Sequence, residues 1–197
     1  MTVTNCILWG NTANEGPQIA LESFEGSTPI DYSCVQGGEF DIYTDYSDLD
    51  WDASNIGEDL INDNPLFADA DNDDYHLLSA AGRWDPVSEG WVVDAVTSPC
   101  IDAGNPGCDL GDEPSDPNNV RINMGAYGGT DKASKTPANW ASLADLTNDH
   151  KVDFNDWAAF AAYWLDGGYC IPSDLDRNEI VNLLDINLFA NEWLWEQ

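Results

Sequence analysis

Asp145-Leu146-Thr147-Asn148-Asp149-His150-Lys151-Val152-Asp153-Phe154-Asn155-Asp156 is written a second time, further along the chain, as Asp174-Leu175-Asp176-Arg177-Asn178-Glu179-Ile180-Val181-Asn182-Leu183-Leu184-Asp185. Each copy carries oxygen side chains at positions 1, 3, 5, 9 and 12, and an apolar Val at position 8. Calcium takes six to eight oxygen ligands at about 2.3–2.6 Å, and a twelve-residue loop with this spacing turns alternate oxygens toward one centre. The first loop offers Asp145, Thr147, Asp149, the Lys151 carbonyl, Asp153 through water, and Asp156 as the closing bidentate ligand. The second offers Asp174, Asp176, Asn178, the Ile180 carbonyl, Asn182 through water, and Asp185. Two Ca2+ sites are expected.

Behind each loop the apolar residues recur at helical spacing: Trp157, Phe160, Ala161, Trp164 and Leu165 in one unit, Ile186, Phe189, Ala190, Trp193 and Leu194 in the other. That period marks one face of an amphipathic helix, and two such faces could cover each other. Gly167, Gly168 and Pro172 stand before the second loop. Gly and Pro disfavour helix interiors by about 1 and 3 kcal/mol, so each unit reads as a loop followed by a helix, with no entering helix.

This doubled loop-helix unit, with repeats at 145–165 and 174–194, resembles the type I dockerin family. The resemblance implies a small all-α domain over 140–197 with two calcium units, docking to a cohesin-like domain or a surface scaffold. The chain departs from that pattern at several places. Position 6, normally Gly for a sharp turn, is His150 or Glu179, position 3 of the first loop is the neutral Thr147, and positions 10 and 11 are Phe154-Asn155 and Leu183-Leu184 rather than Ser-Thr. Weaker and unequal cation binding is expected, and partner specificity does not carry over.

The charge balance is lopsided: 37 acidic residues against 6 Lys plus Arg, a formal −31 over 197 residues. Such a field opposes nucleic acid and anionic membranes and favours divalent cations. No apolar run reaches the roughly 20 residues that span a bilayer. The start, Met1-Thr2-Val3-Thr4-Asn5, lacks the basic and long apolar regions of a secretory signal. Calcium loops of this kind suit an extracellular setting, so the chain is expected to be the C-terminal part of a longer secreted or surface protein, its signal upstream. Five cysteines cannot all pair internally, and neither CxxC nor a Cys/His cluster appears. Cys100 and Cys108 lie close enough for a bridge; the rest read as small buried hydrophobes.

Residues 1–130 read as short β runs, at 3–9, 18–22, 29–35, 40–46, 75–78 and 91–96, punctuated by Gly, Asn, Asp and Pro. Cys6 and Cys34 occupy matching places in Asn5-Cys6-Ile7-Leu8-Trp9-Gly10 and Ser33-Cys34-Val35-Gln36-Gly37-Gly38. If successive coils stack, such a match places like residues one above another in a core ladder. Asn5-Cys6-Ile7-Leu8-Trp9-Gly10-Asn11, Tyr32-Ser33-Cys34-Val35-Gln36-Gly37, Asn64-Pro65-Leu66-Phe67, Asp74-Tyr75-His76-Leu77, Ser98-Pro99-Cys100-Ile101-Asp102-Ala103-Gly104 and Arg121-Ile122-Asn123-Met124-Gly125-Ala126-Tyr127-Gly128-Gly129 look like the closing region of right-handed parallel β-helix proteins of secreted and surface type. The fold class expected is thus mainly β, the C-terminal coils of a right-handed parallel β-helix over 1–130, joined by a linker at 131–139 to the small all-α domain.

The β-helix resemblance implies no single reaction. Polysaccharide lyases of that fold hold calcium on carboxylates beside a basic residue, an arrangement that Asp109, Asp112, Glu113 and Asp116 with Arg121 could supply. Asp69, Asp71, Asp73 and Asp74 form a second acidic turn, and His76 reads as a packed residue. Trp51, Trp84 and Trp91 could stack on sugar rings, although packing is the commoner use. The expectation is calcium-dependent attachment of a secreted protein in extracellular polysaccharide processing, with no catalytic residues assigned to this chain. The alternative is the end of a polysaccharide lyase or glycoside hydrolase whose active site lies upstream.

Overall fold

Short strands rich in Val, Ile, Leu, Tyr and Thr pair in parallel from the start of the chain as far as Trp51. The computed structural model describes residues 2–22, 27–45, 48–57, 63–115 and 118–197. Strands β1 (Val3–Thr4), β4 (Ser27–Asp31) and β7 (Asp48–Trp51) make a three-stranded sheet. Strand β2 (Ile7–Leu8) pairs with β5 (Cys34–Val35), and β3 (Ala20–Glu22) with β6 (Tyr43–Asp45). Two antiparallel pairs follow, β8 (Phe67–Asp69) with β9 (Asp74–Leu77) and β10 (Arg83–Asp85) with β11 (Gly90–Val92).

Two fold expectations are corrected by this architecture. Residues 1–130 do not form the coils of a parallel β-helix: among the described residues the strands are two to five residues long, fall into five small sheets, and give way to antiparallel pairs after an isolated parallel bridge between Cys34 and Ile56. Nor is the spacing that of a uniform coil, since the return from Val3 to its partner Ile30 is longer than the return from Ser27 to its partner Asp48. The match between the two cysteine segments misses the register by one place, because Cys34 faces Ile7 rather than Cys6. A one-residue slip turns a side chain to the other face. Accordingly Cys34 is wholly buried while Cys6 is half-exposed, and no cysteine ladder exists.

The tail is likewise not a separate all-α domain. Among the described residues there are two helices, α1 (Phe154–Ala162) and α2 (Leu183–Asn191), nine residues each, in a chain otherwise of turns and short strands. Each begins with a capping box, Asp153 with Asp156 and Asn182 with Asp185, which satisfies amides that a helix start leaves bare. Each stops earlier than its apolar period, at Tyr163 and Glu192, and Leu165 and Leu194 then take φ of 68° and 65°. Phe160 and Phe189 are buried together with Leu146, Val152, Leu175 and Val181.

The tail is fastened to the front at many points. Arg121, buried in the front, donates Nη1 to the Asp145 carbonyl at 2.6 Å, and Tyr32 Oη donates to the Leu146 carbonyl at 3.2 Å. A disulfide joins Cys108 to Cys170, so the bridge expected between Cys100 and Cys108 is not the one formed. Residues 131–139 pack rather than hang free: Ala133, Ser134 and Thr136 are buried, and the Lys135 amide donates to the Gly82 carbonyl at 2.8 Å. Among the described residues no helix is long and apolar enough to cross a membrane.

Asp102 is held inside this junction, accepting from the Val120 amide at 2.9 Å and the Thr136 hydroxyl at 2.9 Å. Burial pushes its carboxyl up to about 7, the two hydrogen bonds and Arg121 opposing and Glu113 reinforcing. A carboxyl raised in the folded state favours folding at low pH and loses that contribution as pH rises through the raised value. Stability should therefore fall between about pH 4 and 7 by at most about 1.4 kcal/mol per unit from this group. Asp102→Asn should flatten that slope in urea melts taken across the range; an unchanged slope would refute the assignment.

Candidate functional site

The two twelve-residue loops fold alike, atom for atom in their principal hydrogen bonds. Asp145 Oδ1 and Oδ2 accept from the amides of Asp149 and His150 at 3.2 and 3.0 Å. Their counterparts are Asp174 accepting from Asn178 and Glu179 at 3.1 and 2.7 Å. Asp156 accepts from the amides of Thr147 and Asp153 at 3.0 and 2.8 Å, and Asp185 from those of Asp176 and Asn182 at 3.1 and 2.8 Å. First and last carboxylates thus act as two staples that bend the loop on itself. The bend needs left-handed backbone at positions 4 and 6: Asn148 and Arg177 have φ of 53° and 56°, His150 and Glu179 of 67° and 68°.

The fold brings carboxylates together in two places, Asp145 with Asp149 and Asp156, and Asp174 with Asp176 and Asp185, ligand atoms of each trio lying within 4.8 Å of one another. Asp145, Asp156, Asp174 and Asp185 are buried, and among the described residues none forms an ion pair with Lys or Arg. Buried carboxylates without a counter-ion are costly. An all-oxygen donor set with two buried acids and one exposed acid fits a hard divalent cation such as calcium better than zinc or copper. Burial pushes Asp145 up to about 7 despite the nearby Arg121 charge, with Asp156 and Asp149 adding to the rise, and burial also raises Asp174.

The remaining sequence-derived ligands are otherwise engaged. Thr147 turns its hydroxyl onto Asp156 Oδ1 at 3.0 Å. Asp153 and Asn182 cap the helices, accepting from the Asn155 and Leu184 amides at 2.7 and 2.9 Å. Asn178 Nδ2 donates to Asp176 at 2.8 Å, and Asn182 Nδ2 donates to the Ile180 carbonyl at 2.9 Å. Lys151 splits its ammonium between Asp149 and Asp153, 3.3 Å from each; the second loop has Ile180 at that place. The first site therefore carries a resident competing cation that the second lacks.

Two features are absent from the sequence pattern. Position 4 of each loop is the hook to the front: Asn148 Nδ2 donates to the Ser54 and Ala103 carbonyls at 2.6 and 3.0 Å, and Arg177 to the Pro106 and Val120 carbonyls at 3.0 and 2.6 Å. The apolar helix faces, expected to cover each other, do so only in part: Phe160 and Phe189 pack together in the core, while the tryptophans beside them stay partly exposed. Trp164 and Trp193 are 38% and 36% exposed and Phe154 75%. Two concavities result, one of about 350 Å³ lined by Phe154, Trp157, Ile186, Phe189, Ala190 and Trp193, and one of about 290 Å³ lined by Trp157, Phe160, Ala161, Trp164 and Ile186. They lie either side of the Trp157–Ile186 seam, as the doubling of the sequence requires.

The candidate catalytic groups of the front have structural employment. Arg121 donates to the carbonyls of Ala103, Gly104 and Asp145. Glu113 accepts from the Asn123 and Gly129 amides at 2.9 and 2.8 Å and from Asn119 at 3.0 Å. Asp109 and Asp112 make no cluster with them, and Asp116 lies outside the described residues. His76 is buried, stacked on Tyr127 at 3.6 Å and bonded to Asp74, which Arg83 also approaches at 3.6 Å. Asp69 accepts from Asn72, and Asp71 and Asp73 stay in the turn. Trp51 packs in the front core, while Trp84 and Trp91 are covered by Lys132 and Lys135 at 3.5 and 4.3 Å.

Replacing His150 and Glu179 by Gly should stabilise the protein. A non-glycine residue in the left-handed region costs about 1–2 kcal/mol, and glycine adds back about 0.5–1 kcal/mol of unfolded-state entropy. A net gain of about 0.5–1 kcal/mol per site is expected in chemical denaturation. A loss of stability in both single variants would show that the side chains, not the backbone angle, dominate there.

A family model described as "Disaggregatase related" matches residues 40–104, about a third of the chain. No curated protein matches the chain, and no solved structure does. The match overturns the two resemblances read from the sequence: it is to neither type I dockerins nor parallel β-helix proteins, and it stops at Gly104, short of both loops. Cohesin binding and polysaccharide breakdown, expected from those resemblances, lose their ground with them.

Proposed function

We propose that the chain is a calcium-dependent attachment protein whose C-terminal loops each take one divalent cation and whose exposed helix face meets a protein partner. The observation that carries this reading is the pair of equivalent carboxylate trios, each with two buried acids that among the described residues pair with no Lys or Arg, at the feet of two helices with partly open aromatic faces. Asp145, Asp149 and Asp156 would hold one ion and Asp174, Asp176 and Asp185 the other. The cation supplies neutralising charge and a fixed loop shape; the helices supply the contact surface. Exposed aromatic wells of this kind are uncommon on monomers and mark interaction sites.

Charge supports the same reading. All six basic side chains are engaged within the chain: Arg83, Lys132, Lys135 and Lys151 on carboxylates or aromatic rings, Arg121 and Arg177 on backbone carbonyls. The uncompensated charge outside the chain is negative, which selects metal ions and cationic protein surfaces. An extracytoplasmic setting suits both the Cys108–Cys170 bridge and millimolar calcium.

Calcium at about 100 times its dissociation constant should stabilise the chain by about 2.7 kcal/mol per site. For a chain of this size the melting temperature should rise by roughly 5–10 °C per site, with chelator reversing the gain. Asp145→Ala with Asp174→Ala should remove the response. Melting curves indifferent to calcium and chelator would end the cation reading. Lys151→Ala should raise the affinity of the weaker site in calorimetric titration and leave the stronger one unchanged; equal effects on both would contradict the role given to Lys151. Trp164→Ala with Trp193→Ala should keep the calcium response while losing calcium-dependent partner capture.

A further inference from the structure

One buried run of the front passes beneath both twelve-residue loops. Residues 101–108 are buried throughout. At one end of the run the Ala103 carbonyl takes Asn148 Nδ2 at 3.0 Å, and Arg121 ties the Ala103 and Gly104 carbonyls to that of Asp145. At the other end Arg177 Nε donates to the Pro106 carbonyl at 3.0 Å and Asn105 Nδ2 to the Cys170 carbonyl at 3.1 Å, while Cys108 is bonded to Cys170. A Cβ on Gly107 would strike the Ile171 carbonyl, so the backbones of front and tail meet there directly.

The side chains that reach this run have a particular place in the loops. Each trio has two buried carboxylates and one exposed, and the exposed one, Asp149 or Asp176, is the sequence neighbour of Asn148 or Arg177. The buried carboxylates are stapled by amides of their own loop. The third sits where the backbone of positions 3 to 5 puts it. That backbone is left-handed at position 4, and the side chain at position 4 ends on carbonyls of the front.

We propose, resting on the cation reading above, that Asn148 and Arg177 are positioning residues for the two cation sites, and that residues 103–108 are the shared brace on which they hold both loops ready for an ion. Three carboxylates whose ligand atoms lie within 4.8 Å of one another repel until an ion arrives. A loop free to relax would spread, and binding would then include the cost of closing it. A loop anchored at position 4 is already closed, so the affinity is higher by what that closing would have cost. Linkage makes the effect reciprocal: the factor by which the brace raises cation affinity is the factor by which a bound cation stabilises the brace. Occupancy of the tail is thereby felt in the front, beyond the helix face.

The test uses the full chain with the Cys108–Cys170 bond intact and calcium as the probe. In calorimetric titration Asn148→Ala should weaken the first site and Arg177→Ala the second by about tenfold, within the roughly 5–150-fold range of ordinary couplings, each sparing the other site. Arg177→Lys, which keeps the charge but not the fork, should fall between wild type and Arg177→Ala. Hydrogen exchange of the unmutated chain supplies a reading that needs no variant to fold. Calcium should slow exchange within 103–108 more than within hairpin β10–β11, whose Arg83 and Trp91 engage Asp94 and Lys135 instead. Wild-type affinity in both alanine variants, or exchange within 103–108 slowed no more than in that hairpin, would overturn the brace and leave the cation reading standing. No calcium binding by the unmutated chain would overturn both.

Discussion

A guanidinium with no water around it holds the two halves of this molecule together. Arg121 is fully buried, and its nitrogens are spent on the backbone carbonyls of Ala103, Gly104 and Asp145. Its planar fork of fixed donors can satisfy several carbonyls at once, which an ammonium could not do as well. Burial weakens its hold on its proton, while Tyr32, Asp145 and Asp102 oppose that change. Because one of the three carbonyls belongs to the first residue of the first loop, front and tail share this cation. Removing it would leave buried carbonyls without donors, a loss of the kind that costs about 1–3 kcal/mol per group.

Around this pivot the loops face inward and the helices outward. Asn148 and Arg177 turn to the front through left-handed backbone, so each loop is at once a nest of carboxylates and part of an internal joint. Phe160 and Phe189 fill the tail's core, while Trp157, Trp164 and Trp193 stay at the surface. The apolar period of each helix is therefore divided, one part in the core and one left exposed. The carboxylate trios and the exposed aromatic side chains accordingly occupy different parts of the same small unit.

What could be read from residues alone was local. Oxygen atoms two, four and eleven positions apart in a tight turn converge whatever the rest of the chain does, so the carboxylates of both trios could be named from spacing. Thr147 and Asp153 could not be placed that way, because the choice between facing an ion, stapling a neighbour or capping a helix is settled by a few tenths of an ångström. The fold class was lost for a non-local reason. Aligning Cys6 with Cys34 is one place out of the register that sets Ile7 against Cys34, and the later strands change both spacing and direction. Periodicity says which residues share a helix face but not what medium that face meets, hence the surprise at Trp164 and Trp193.

The two repeats are laced through each other. The Val152 amide donates to the Trp195 carbonyl at 2.8 Å and the Val181 amide to the Asp166 carbonyl at 2.9 Å, with Gln197 to His150 and Gly168 to Glu179 as the outer pair. Each loop is closed by backbone that follows the helix of its sister, so a single repeat has open donors and acceptors at the places where its twin would sit. A chain carrying only one unit would find that missing edge most readily in another molecule of its own kind, as a two-fold symmetric exchange. Duplication of the unit within one chain makes the same closure intramolecular, and with it independent of protein concentration.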